Sequence, residues 1–339
     1  MALAQATRES GRREEALAIL LEMLDTEALR LESNRPTRAV VLESLGVTYE
    51  SLDRLEPALE AFEGALALQE VDDVNVDASR IGTLRNRAHV LYRLGHVEEA
   101  LRQNLELLAL LEPLSGPGST DVALTNFSIA RALQDLDRDA DALPYARAAY
   151  EGWLASVGPL HVRTLRAVVT VGDLLEDLGD PVGALEHFTL GFEGRLRTLG
   201  ADDPETVDAA FRHARLACAL GDDEQAARSL PIALGAVAVH PGLGAYDRLV
   251  WNARGFQVYA RLDRDEDAER CILACLRERE VDDDPDGDFA THVADVVGFY
   301  EGWASRGSEH AAQEARSWRE EFERRFGVAF DAWADTHGR

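Results

Sequence analysis

The chain has no lysine: all 35 of its Lys+Arg residues are arginine, set against 62 aspartates and glutamates for a formal net charge of -27. We read the missing lysine as a codon effect of a GC-rich bacterial genome. The acidic balance excludes nucleic acid as an expected ligand, because its phosphates would be repelled. Cysteine is scarce too, with only Cys218, Cys271 and Cys275. The last two lie one turn apart on a single helix, so no disulfide framework forms and a cytoplasmic protein is expected. No run of about 20 uninterrupted apolar residues marks a membrane span, and Met1 to Asp25 shows no secretory signal. None of the nine histidines falls in an H-E-x-x-H or similar spacing. A phosphate-cradling glycine loop and a nucleophile elbow are also missing, so no metal, cofactor or catalytic residue is expected. Cys218 with His213 is the one nucleophile-base pair that can be drawn on paper, for a hydrolase. Residues five apart on a helix point different ways, and cysteine is commonly buried, which disfavours it.

What the chain does have is a repeat. Between Gly158 and Pro204, the apolar residues Leu165, Val168, Val171, Leu175 and Leu178 fall at three- and four-residue steps and predict one face of a helix. Leu178-Gly179-Asp180-Pro181 then ends that helix and opens another, which packs Ala184, Leu185, Phe188 and Phe192. The unit is a helix hairpin, and it recurs at a spacing of 42 residues. One column holds Ala16, Ala58, Ala100, Ala142, Ala184, Ala226 and Ala268. A turn column holds Gly11, Asp53, Gly95, Asp137, Gly179, Gly221 and Asp263, all residues suited to turns. A small-residue column holds Ala4, Gly46, Ala88, Ala130, Gly172 and Ala214, then Phe256 with Gly255 beside it, then Gly298.

These columns resemble the tetratricopeptide repeat, whose signature has a small residue in the first helix, a leucine-glycine turn, and an alanine followed by an aromatic in the second. Phe62 and Phe188 fill the aromatic position. The usual period is about 34 residues, and the longer one here resembles the kinesin light chain subclass. The resemblance implies an all-α fold, a right-handed α-α superhelix of about eight hairpins. Length alone would suggest two or three domains, but a repeat array grows by stacking. A single solenoid is therefore expected over residues 1–326, with a partial first repeat over about 1–33 as a worn cap, and a C-terminal capping helix over 327–339.

Three stretches depart from the pattern. Pro231 sits well inside a second helix, where it removes a backbone hydrogen bond and predicts a kink or an altered inter-repeat angle. Val281 to Asp288 imitates a D-x-D-x-D-G calcium loop, but Val293 stands where the bidentate glutamate belongs and the register makes this a linker. Past Arg306-Gly307-Ser308, Trp318, Phe322, Phe326 and Phe330 recur at four-residue steps, with Trp333 beyond. This aromatic series is expected to cap the solenoid; a self-association stripe is the alternative.

The resemblance also implies a binding surface, because first helices line a concave groove in tetratricopeptide proteins. Its inward positions carry over to Arg85, Asn86, His89, Tyr92, Arg93, Phe127, Arg131, Gln134 and Arg166, then to Phe211, Arg212, Arg215, Arg254, Gln257 and Arg261. Arg85, His89 and Arg93 form a stripe at four-residue spacing independently of that carry-over. Guanidinium groups bind carboxylates in bidentate fashion and stack on aromatics, which points to an acidic or extended segment of a partner protein or peptide. The competing reading pairs these arginines with nearby carboxylates such as Asp135, Asp173, Glu176 and Asp177. The expected role is a non-enzymatic scaffold or regulatory protein; the alternative is a peptide-responsive sensor acting on a separate effector.

Overall fold

The computed structural model describes residues 11–26, 34–69, 78–239, 244–277 and 288–337. Ala4 and the calcium-like segment 281–287 lie outside the described residues. Among the described residues every regular element is a helix. Among these residues α1 (Arg13–Asp25) precedes seven hairpins: α2 (Arg35–Ser51) with α3 (Leu55–Leu68), α4 (Ala78–Arg93) with α5 (Val97–Ser115), α6 (Thr120–Gln134) with α7 (Asp139–Val157), and α8 (Val162–Asp177) with α9 (Pro181–Leu199), then α10 (Pro204–Leu220) with α11 (Asp223–Val239), α12 (Ala245–Arg261) with α13 (Asp265–Arg277), and α14 (Asp288–Ser305) with α15 (Glu309–Phe326). A short α16 (Phe330–His337) follows. The chain forms two compact units, Met1–Gly194 and Arg195–Arg339.

The turn column is a column of left-handed residues. Gly11, Gly95, Gly179 and Gly221 have φ of 81°, 82°, 81° and 72°, while Asp53, Asp137 and Asp263 reach 59°, 55° and 54°. Glycine takes this region freely and aspartate is among the few side chains that tolerate it, which is why only these two types fill the column. The reversal lets the next amide bond back to a carbonyl five residues earlier: Arg54 N to Tyr49 O at 2.9 Å, Asp180 N to Leu175 O at 2.8 Å, Arg264 N to Tyr259 O at 2.9 Å. Otherwise orphaned carbonyls at the helix end are satisfied in this way. Between hairpins the device changes: Gly116 and Gly200, with φ of 76° and 89°, end one helix. Ser119 and Asp203 then accept the first free amides of the next, from Val122 N at 3.2 Å and Glu205 N at 2.9 Å.

Packing explains the other two columns. All seven column alanines, Ala16 to Ala268, are fully buried. At Gly46 and Gly172 a Cβ atom would lie 2.5 Å from the ring of Phe62 and 2.7 Å from that of Phe188. Where the small column is alanine, the buried residue sixteen positions on, the register of Phe62 and Phe188, is not aromatic: Asn104 after Ala88, Ala146 after Ala130 and Leu230 after Ala214. Gly255, rather than Phe256, makes the close approach in its repeat, with Cys271 Sγ 2.8 Å from where its Cβ would be.

In the second unit, α11 runs through Pro231 without interruption, with Leu230 and Ala233 on either side of it fully buried. Gly327, at φ 67°, ends α15. The aromatic series is therefore not one helical stripe: Phe330 and Trp333 belong to α16, which folds back so that Phe330 and Trp333 pack 5.2 Å and 5.1 Å from Phe322. Phe322, Phe330 and Trp333 are buried with Val293 and Val297, and Trp318 and Phe326 are half-buried against them. Phe322 and Phe330 are thus core residues of their own chain, whereas Trp318 and Phe326 stay partly exposed and border a cavity with Phe322.

Candidate functional site

First helices α2, α4, α6 and α8 of the first unit border a cavity of about 320 Å³. Its walls include Arg85, Asn86, His89 and Tyr92 from α4, Phe127 and Arg131 from α6, and Arg166 from α8. Seven of the residues marked as groove positions thus line one space; Arg93 stands outside it, paired with Glu50 at 3.7 Å and with Asp53. Glu50, Ala88, Asn104, Leu124 and Ser128 complete the lining. Glu50 accepts from His89 Nδ1 at 2.8 Å, so one carboxylate sits at the α2 end of an otherwise cationic wall.

The arginines divide into two groups. Arg85 is neutralised by Asp121 at 3.0 Å, and its Nε is buried without a hydrogen-bond partner. Arg131 and Arg166 lie on aromatic faces, with the guanidinium carbon of Arg131 5.0 Å from the Tyr92 centroid and that of Arg166 5.5 Å from Phe127. Among the described residues neither has a carboxylate within 4.0 Å. A guanidinium held on an aromatic face keeps its edge donors for a ligand while the ring limits its motion. Phe127 is itself fixed by Trp153, 5.3 Å away. The Tyr92 hydroxyl accepts from Arg131 Nη2 at 3.0 Å and donates to Asp135. Burial, and then the bond to Asp135, push the Tyr92 pKa up, so the phenol keeps its proton at neutral pH.

The competing reading, in which arginines pair with nearby carboxylates, holds for some of them. Asp135 takes Tyr92 instead of an arginine. Arg85 finds Asp121, and Arg212 finds Asp208 at 2.9 Å.

Within the second unit the marked residues form a looser set. Phe211 stands edge-on to Trp251 at 4.7 Å, and Arg254 lies over the same Trp251 ring at 5.1 Å. Arg215 is half-buried on α10, and Arg261 is occupied by a two-point pair with Asp223 at 2.6 Å. Sequence reading missed Glu50, which lines the cavity, and Trp251, which touches Phe211 and Arg254. Trp251 follows the same rule as Tyr92 and Phe127, an aromatic beneath a groove arginine, and that coincidence was the available signal.

The paper hydrolase pair does not form. His213 is fully buried and its Nδ1 shares a hydrogen bond with Ser229 Oγ at 2.7 Å. Burial pushes the Cys218 thiol up, away from the thiolate a nucleophile needs. Among the described residues no group of three His, Cys, Asp or Glu side chains could hold a metal ion, and no helix is long and apolar enough to cross a membrane.

Helix hairpins reversed on left-handed residues, stacked so that first helices share a lined face, define an α-hairpin repeat protein. Residues 39–72 match the family model for the tetratricopeptide repeat. The fold is similar to that of BtubC (BKLC) from P. vanneervenii, with 18% identity and a TM-score of 0.53 over 70% of this chain and 94% of that one. It is similar to pilF of Pseudomonas aeruginosa, with 19% identity and a TM-score of 0.52 over 74% and 94% of the two chains. A kinesin-light-chain-type protein of Podosopora anserina with nearly identical TPR-like repeats aligns at 18% identity and a TM-score of 0.50, over 60% of this chain and 98% of that one. Comparison with curated proteins gives no match. The chain thus contains a tetratricopeptide-repeat match and has the fold of tetratricopeptide-repeat solenoids, with kinesin-light-chain-like repeats among the structures it is similar to.

Proposed function

We propose that this protein is a non-enzymatic binding scaffold that holds an acidic, extended segment of a partner protein against the first-helix face of its first unit. The observation that carries the reading is the pair Arg131 and Arg166, each seated on an aromatic ring at the cavity with no carboxylate partner among the described residues. In a chain of net charge -27, two uncompensated guanidinium groups beside a buried phenyl ring favour a ligand that brings carboxylates and some apolar surface. Arg85, already paired with Asp121, serves as a second-rank contact whose ion pair a ligand would have to exchange. Phe211, Arg212, Arg215 and Arg254 extend the same reading to the second unit. Its setting is a reducing cytoplasm.

Fluorescence anisotropy with a labelled, alternating Glu-Ala peptide tests the charge preference. The wild type binds it in low salt and releases it as salt rises, while an alternating Arg-Ala peptide does not bind. Absence of binding by the Glu-Ala probe, or equal binding of both probes, contradicts the reading.

A further inference from the structure

Arg131 and Asp135 stand four residues apart at the end of α6, a spacing at which an arginine and a carboxylate on one helix face ordinarily pair. Among the described residues they form no ion pair. Instead the Tyr92 hydroxyl, reaching over from α4, lies between them: it accepts from Arg131 Nη2 at 3.0 Å and donates to Asp135 Oδ2. Its ring also carries the guanidinium, 5.0 Å from the centroid. One side chain therefore seats Arg131, fixes one of its nitrogens and occupies the carboxylate that would otherwise neutralise it.

We propose that Tyr92 is a positioning residue whose hydroxyl insulates Arg131 from Asp135 and so keeps the arginine charge available to an incoming carboxylate. The inference rests on the reading of this cavity as an acidic-segment site. Two bonds make it specific to the hydroxyl. A phenylalanine at this position keeps the ring under the guanidinium but frees Asp135, and the α6 spacing then brings Asp135 onto Arg131. Groove charge falls by one without any residue of the ligand face being lost. Burial and the Asp135 hydrogen bond both hold the phenol protonated, which is the form that donates to the carboxylate.

Four variants, Arg131→Gln, Tyr92→Phe, Asp135→Asn and the double Tyr92→Phe/Asp135→Asn, separate this inference from the reading beneath it. With the Glu-Ala probe, Arg131→Gln weakens binding about tenfold and Tyr92→Phe about fivefold, as the loss of a charge-assisted contact implies. Adding Asp135→Asn to Tyr92→Phe returns affinity to within about twofold of Asp135→Asn alone, because the competing carboxylate is gone. A Tyr92→Phe protein that binds as well as wild type, or one that Asp135→Asn does not restore, overturns the insulating role while leaving the site in place. An Arg131→Gln protein that binds as well as wild type contradicts the site itself. A crystal structure of Tyr92→Phe supplies a check that needs no ligand: Arg131 and Asp135 are expected in direct contact, and a separation kept beyond ion-pair distance overturns the inference.

Discussion

Gly172 and Phe188 are complementary parts of one contact: a Cβ on Gly172 would lie 2.7 Å from the Phe188 ring edge, closer than real Cβ atoms come. Phe188 is 1% exposed and has nowhere to retreat. Gly172→Ala is therefore expected to destabilise the chain by roughly 1–2 kcal/mol, the overpacking cost exceeding the helix-propensity gain of about 1 kcal/mol. One repeat on, the equivalent positions hold Ala214 and Leu230, both fully buried. Once Phe188 is leucine, Gly172→Ala should cost nothing further. Denaturant unfolding of the two single variants and the double variant measures this coupling.

Asp137 occupies a left-handed turn at φ 55°, equivalent to Gly179 at φ 81°. The strain of a side chain there is about 1 kcal/mol or more. Asp137→Gly is expected to leave stability unchanged or raise it by up to about 1 kcal/mol, whereas Gly179→Val lowers it by about 1–2 kcal/mol. Thermal unfolding followed by circular dichroism distinguishes the two.

A pH effect is expected in the second unit. The two-point hydrogen bond from Arg261, the largest cause, holds the Asp223 carboxyl below the usual range. The folded state thus binds that proton more weakly than the unfolded state. Its contribution is complete above the unfolded carboxylate pKa of about 4 and is lost as pH falls through the folded value. Denaturant midpoints measured from pH 6 down to about pH 3 should fall more steeply for wild type than for Asp223→Asn. Parallel curves would assign the acid sensitivity elsewhere.

Much of the hairpin architecture was legible because backbone constraints admit few residue types. A left-handed turn takes glycine or aspartate, and a close helix approach takes glycine or alanine, so Gly179, Asp137, Gly172 and Ala184 announce their positions. Side-chain pairing across repeats carries no such signature. Arg85 could have met any of several carboxylates, and the choice of Asp121 depends on how α4 and α6 lie against each other. Asp135 looked like an arginine partner by spacing and is taken by Tyr92, a residue of another repeat. At the C-terminus the four-residue aromatic step suggested one helix, yet Gly327 reverses the chain before Phe330 and turns a surface stripe into a core.

The central claim is that the face carrying Arg131 and Arg166 holds the partner. The most direct measurement uses the full chain as bait in lysate of its own organism, beside an Arg131→Gln/Arg166→Gln variant shown by circular dichroism to be folded. The account predicts a partner that wild type retains, that the variant loses, and whose protected segment is acidic. A partner retained equally by both proteins would contradict it and place the interface on another face.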